Sequence, residues 1–105
     1  MNDARPTILL LVRGLKSRLS REELERRYKE RMPQFRALPG LVQKYYSYDE
    51  TTGTWAGIYL WDSEESLATY MDSDLCKSIA AAYELTEPPV LERFPLVDVL
   101  RTDLG

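Results

Sequence analysis

Thr-Ile-Leu-Leu-Leu-Val-Arg-Gly, residues 7–14, is apolar at both odd and even positions and ends on a glycine. A strand with one wet face alternates apolar and polar residues, so an unbroken run of this length predicts a first strand covered on both faces. Beyond it, Ser20-Arg21-Glu22-Glu23 has the form of a capping box and starts a first helix. Leu24, Tyr28, Met32, Phe35 and Leu38 recur at steps of three or four and mark its inner face. Glu22/Arg26, Glu23/Arg27 and Glu25/Lys29 set opposite charges one turn apart on its solvated side. Pro33 removes one N–H inside this pattern and predicts a kink near Met32.

Leu38-Pro39-Gly40 ends the helix, and residues 41–48 read as a second strand of mixed polarity. Asp49 to Gly53 supplies a hairpin turn into a third strand, Trp55 to Trp61, so these two strands are antiparallel. Asp62 or Ser63 caps a second helix over Glu64 to Met71, and Asp72-Ser73-Asp74 separates it from a further helix over Leu75 to Tyr83. Glu87-Pro88-Pro89 stops that unit. A last strand then runs from Val90 to Arg101 with Pro95 inside it.

Strand, helix, strand, strand, helix, strand is the order of the α+β ferredoxin-like βαββαβ fold, whose antiparallel sheet has spatial order 4-1-3-2. The apolar first and third strands suit its centre, and Gln43, Lys44, Glu92, Arg93 and Pro95 suit its edges. Helices cover one face of such a sheet. A first strand apolar on both faces therefore predicts that a second copy covers the other, giving a homodimer in which two sheets pack as a dimeric α/β barrel. All 105 residues, 1–105, are expected to form one domain.

Fourteen Lys and Arg against seventeen Asp and Glu leave a net charge of -3, which provides no basic field for nucleic acid or anionic membrane. Cys76 is the only cysteine and histidine is absent, so no disulfide framework, zinc set or haem ligand set is expected. No apolar run is long enough to span a bilayer, and the first residues lack the order of a secretion signal. The reading is a cytoplasmic protein without metal or cofactor.

Four stretches carry a family likeness: Leu38-Pro39-Gly40-Leu41 with Gln43-Lys44-Tyr45-Tyr46; the hairpin with Gly53; Gly57-Ile58-Tyr59-Leu60-Trp61-Asp62-Ser63-Glu64-Glu65 with Tyr70; and Tyr83 followed by Pro88-Pro89. In these the chain resembles the antibiotic-biosynthesis mono-oxygenase superfamily of dimeric α/β barrels, and within it the branch of small "putative mono-oxygenases". The resemblance implies a pocket between sheet and helices, and oxygen chemistry without metal, flavin or haem on a substrate that ionises and itself supplies electrons. It assigns Trp61, at the end of the third strand, to that site. The asparagine expected four residues earlier is Gly57 here, so an amide that would orient substrate or stabilise charge is missing. Haem degradation on this fold needs a histidine that the chain lacks.

Trp55, Gly57, Tyr59 and Trp61 share one parity of the third strand and form either a pocket lining or a plain core. Tyr45, Tyr46 and Tyr48 make the second strand phenolic, and either parity brings a hydroxyl toward Trp61. Tyr28 and Tyr83 are placed to close a pocket from the helical side. Arg93 is either an anion-holding guanidinium or half of an edge-strand ion pair. Cys76 has no histidine to activate it and reads as a structural thiol. The candidate catalytic residues are thus Trp61, Tyr59 and Arg93, and the candidate substrate-binding residues are Tyr46, Tyr28, Tyr83 and Gly57. The corresponding activity is a cofactor-independent mono-oxygenase for a small aromatic or polyketide-like substrate. A non-catalytic binder of hydrophobic metabolites and a cofactor-free isomerase or cyclase are the alternatives.

Overall fold

The structure, a computed structural model, describes residues 5–101. Its elements are β1 (Ile8–Leu15), α1 (Arg21–Arg36), β2 (Leu41–Asp49), β3 (Thr54–Trp61), α2 (Glu64–Met71), α3 (Asp74–Lys77), α4 (Ile79–Ala82) and β4 (Val90–Pro95). The four strands form one sheet in the order β2-β3-β1-β4, antiparallel throughout, which is the expected ferredoxin-like order read from the other edge.

Cross-strand partners share a face, so the register settles which side chains meet the helices. Ile8, Leu10 and Val12 of β1 pair with Trp61, Tyr59 and Gly57 of β3, and these in turn with Leu41, Lys44 and Tyr46 of β2. On this face Ile8, Leu10, Tyr59 and Trp61 are buried with Phe35 of α1 and with Leu67 and Tyr70 of α2. A second cluster joins Leu24, Trp55 and Tyr83. Leu9, Leu11, Ile58 and Leu60 occupy the opposite face and are only half-buried.

Ser20 caps α1 by accepting from the Glu23 N–H at 3.1 Å. The reciprocal half of the predicted box is replaced by ion pairs, since the Glu23 carboxylate accepts from Arg26 and Arg27. Arg26 also reaches Glu30 at 2.9 Å, so its partners are Glu23 and Glu30 rather than the predicted Glu22. The helix runs on through Pro33, with Leu24 and Phe35 buried and Tyr28, Met32 and Leu38 partly so. Gly40 opens β2 at φ +84, where a side chain would be strained and would also run into Ser66 and Asp62. Ser63, rather than Asp62, caps α2.

Two boundaries differ from the sequence reading. The helix predicted over residues 75–83 is two short helices, because the Leu75 carbonyl accepts from Arg31 at 3.2 Å and from the Ser78 hydroxyl at 2.9 Å. The last strand ends at Pro95 and not at Arg101. Its final bond to β1 runs from the Leu96 N–H to the Thr7 carbonyl. Val97 and Leu100 are accordingly fully exposed.

Candidate active site

Between the helix-facing side of the sheet and the second helical unit lies a cavity of about 220 Å³. Its floor is Leu10 and Val12 of β1, Trp55, Gly57 and Tyr59 of β3, and Lys44 and Tyr46 of β2. Leu24 and Tyr28 of α1 form one wall, and Tyr70, Cys76, Ile79 and Tyr83 close it on the other side. Arg31 and Arg27 hold that cover in place. Arg31 donates to the Leu75 carbonyl and to Ser78 Oγ, and Arg27 donates to the Ala82 carbonyl at 3.0 Å. The loop after β1 is tied to the far end of the cover, where Ser17 Oγ donates to the Tyr83 carbonyl and the Thr86 N–H to the Lys16 carbonyl.

Of the residues singled out from sequence, Tyr28, Tyr46, Gly57, Tyr59 and Tyr83 line this one cavity. Tyr28 stacks on Tyr46 with centroids 4.3 Å apart and meets Trp55 edge-on. The open parity of the second strand is thereby resolved: Lys44, Tyr46 and Tyr48 face the helices, and Tyr45 faces the other side. A side chain at position 57 would meet the Tyr59 ring at 3.1 Å, so the phenol occupies the space into which an asparagine there would project. Tyr59 also accepts a 3.4 Å hydrogen bond from the Tyr70 hydroxyl.

Trp61 and Arg93 are placed elsewhere. Trp61 is 0% exposed beneath Tyr59 and Tyr70, outside the cavity lining, with its Nε1 lacking a hydrogen-bond partner among the described residues. Arg93 pairs with Leu10 but lies on the edge strand, exposed to solvent and away from the lining. Trp61→Phe is therefore expected to lower stability by about 1–2 kcal/mol through lost packing. Aromatic-ligand affinity, read from Trp55 fluorescence, should stay within about twofold; a tenfold loss of affinity at unchanged stability would put Trp61 in the site.

Lys44, an edge-strand residue within one of the family-like stretches, is not among the site residues singled out from sequence. Its ammonium nitrogen sits 3.5 Å from the Phe35 ring centroid, 4.5 Å from that of Tyr46 and 4.6 Å from that of Tyr59. No carboxylate pairs with it among the described residues. Burial, followed by repulsion from Arg31, lowers its pKa to about 7. Burial acts oppositely on the phenols, raising Tyr46 to about 12 and moving Tyr59, Tyr70 and Tyr83 above their ordinary range. Near neutral pH these tyrosines are hydrogen-bond donors and cannot serve as bases. Burial also pushes the Cys76 thiol up, away from nucleophilic thiolate. Among the described residues no three of His, Cys, Asp and Glu converge to hold a metal ion, and no helix is long and apolar enough to cross a membrane.

The ferredoxin-like sheet with its helices is the fold of solved structures of the antibiotic-biosynthesis mono-oxygenase superfamily. Within it the chain belongs to the family described as "Putative mono-oxygenase ydhR", whose model matches residues 10–87. No curated protein is significantly similar to it in sequence. Solved structures similar to it include a "putative antibiotic biosynthesis monooxygenase" from Caulobacter crescentus, 20% identical, with 89% of this chain and 92% of that one covered at a TM-score of 0.72. SnoaB of Streptomyces nogalater, a cofactor-independent oxygenase, is 14% identical over 91% of this chain and 98% of its own, also at 0.72. At these identities the likeness establishes the fold.

Proposed function

We propose that the protein is a cofactor-independent mono-oxygenase of the cytoplasm, working as a homodimer on a small aromatic or polyketide-like substrate. The observation that carries this reading is the cavity itself. Aromatic rings and aliphatic side chains form most of its wall in a chain of the mono-oxygenase family, with phenols, the Cys76 thiol and the amines of Lys44 and Lys77 as its polar points. The substrate supplies the electrons: a doubly activated CH₂ and O₂ give C=O and H₂O, the methylene being oxidised and both oxygen atoms reduced, so the balance needs no external reductant. The protein's part is to bind the ring system, exclude water and hold dioxygen against the ionised carbon. Tyr59, Tyr46 and Tyr83 are suited to donate hydrogen bonds to the developing oxyanion.

Oxygen uptake with a panel of phenols and anthrones tests this. One O₂ consumed per substrate, with a loss of about tenfold or more in rate for Tyr59→Phe, is the expected result. The second reading, a binding protein for hydrophobic metabolites, is favoured by the Tyr59 ring standing where an asparagine at position 57 would project. Saturable quenching of tryptophan fluorescence without any oxygen uptake would select it.

A further inference from the structure

Lys44 combines three features. It lies on the cavity floor, it has no carboxylate partner among the described residues, and three aromatic faces surround its ammonium. The groups acting on it are Arg31 from α1, Cys76 from α3, the flanking phenols Tyr46 and Tyr59, and Tyr70 behind Tyr59. None of these is a negative charge at neutral pH. A carboxylate beside the amine would lock it as ammonium, whereas ring faces favour the cation more weakly and supply no counter-charge. What the site lacks is an anion.

We propose that Lys44 is a catalytic residue, the base that takes the proton from an acidic hydroxyl or activated methylene of a bound aromatic ligand and then stays as counter-ion to the anion formed. The ligand's O–H or C–H bond breaks, an N–H bond forms on Nζ, and the electron pair remains on the ligand, so this step consumes no oxidant. The cavity then selects ionisable aromatic compounds over their non-ionisable analogues. The depressed pKa agrees with this role, since an amine titrating near 7 is about half unprotonated at neutral pH and so able to accept a proton. The proposal deepens the mono-oxygenase reading, which rests on substrate ionisation, but proton transfer itself is measurable without turnover.

The probes are 4-nitrophenol, whose neutral and ionised forms absorb at different wavelengths, and 4-nitroanisole, its methyl ether. Bound to the full chain, nitrophenol should ionise at least about one pH unit below its value in free solution. Lys44→Met should bind nitroanisole with little change, lose about tenfold or more in nitrophenol affinity, and hold the phenol neutral. Carbon NMR of the four lysine Cε positions provides a measurement on the unaltered protein. The Lys44 signal should titrate near pH 7 when free and well above that when nitrophenol is bound. Nitrophenol staying neutral in the wild-type cavity, equal ionisation in Lys44→Met, or a free Lys44 titrating in the ordinary lysine range would each overturn the proposal. Failure of both probes to bind would overturn the cavity as an aromatic site. Since neither readout uses oxygen, absent oxygen uptake alongside ionised nitrophenol removes the mono-oxygenase reading and leaves Lys44 in place.

Discussion

Lys44→Met should be more stable than the natural sequence at neutral pH, by about 2–4 kcal/mol, and the advantage should fade as the solution becomes alkaline. The folded protein holds the Lys44 proton only up to about pH 7, while the unfolded chain holds it up to the ordinary lysine value. Between those limits the unfolded state binds more protons, so natural-sequence stability rises with pH by up to about 1.4 kcal/mol per unit, a slope that the Met variant lacks. Below about pH 7 both states carry the proton and the gap is at its widest. Met matches the length and flexibility of the lysine stem and suits the contact with Phe35, Tyr46 and Tyr59. Denaturant unfolding of both proteins at one concentration, from about pH 6 to about pH 10, checks this. A gap that stays constant across the range would mean that Lys44 keeps its proton in the fold. A residue that destabilises the fold in this way fits a functional role better than a structural one.

The sheet was readable from sequence because its signals are local and redundant. Trp55, Gly57, Tyr59 and Trp61 alternate with Ala56, Ile58 and Leu60, and burial along β3 follows that alternation residue by residue. The cavity was readable only in part. In β2 both parities carry tyrosines, so nothing in residues 41–48 alone chose between Lys44/Tyr46/Tyr48 and Gln43/Tyr45/Ser47. The choice comes from long-range register with β3, including the irregularity between Leu41 and Gln43 that sets Leu41 opposite Trp61 and Lys44 opposite Tyr59. Lys44 shared a parity with Tyr46 and Tyr48, and that was the one available signal; a lysine on an edge strand ordinarily points to water. The break at Ser78 was hidden for a similar reason, since it depends on Arg31 reaching across from α1. Arg93 followed the parity of the helix-facing side, but β4 is an edge strand that is mostly exposed, so parity there does not amount to burial.

The second large effect concerns the side of the sheet that no helix covers. Leu9 stands between Leu60 of β3 and Phe94 of β4, and Leu11 between Ile58 and Glu92, with Tyr45 and Val90 on the same face. Tyr45, Val90 and Phe94 are 44–47% exposed in the single chain. Among the described residues the ion pair on this face, Arg13 to Glu92 at 2.7 Å, joins two exposed side chains toward one end of it. The proposed homodimer closes this face against its copy, and a standard interface of about 800 Å² per partner is enough for stable association. Leu9→Asp would place a carboxylate among Leu60 and Phe94, and two-fold symmetry would place two in each dimer. At about 3 kcal/mol per buried, unpaired charge the dimer should weaken by about ten-thousand-fold. Sedimentation should accordingly give a dimer for the natural sequence at micromolar concentration and a monomer, or an unfolded chain, for Leu9→Asp. Because closing the sheet face and completing the core are coupled, the natural protein's melting temperature should also rise with concentration. A folded natural-sequence monomer whose melting temperature ignores dilution would leave the apolar strip of Leu9, Leu11, Ile58 and Leu60 in water, and the two-sheet barrel would have to be abandoned.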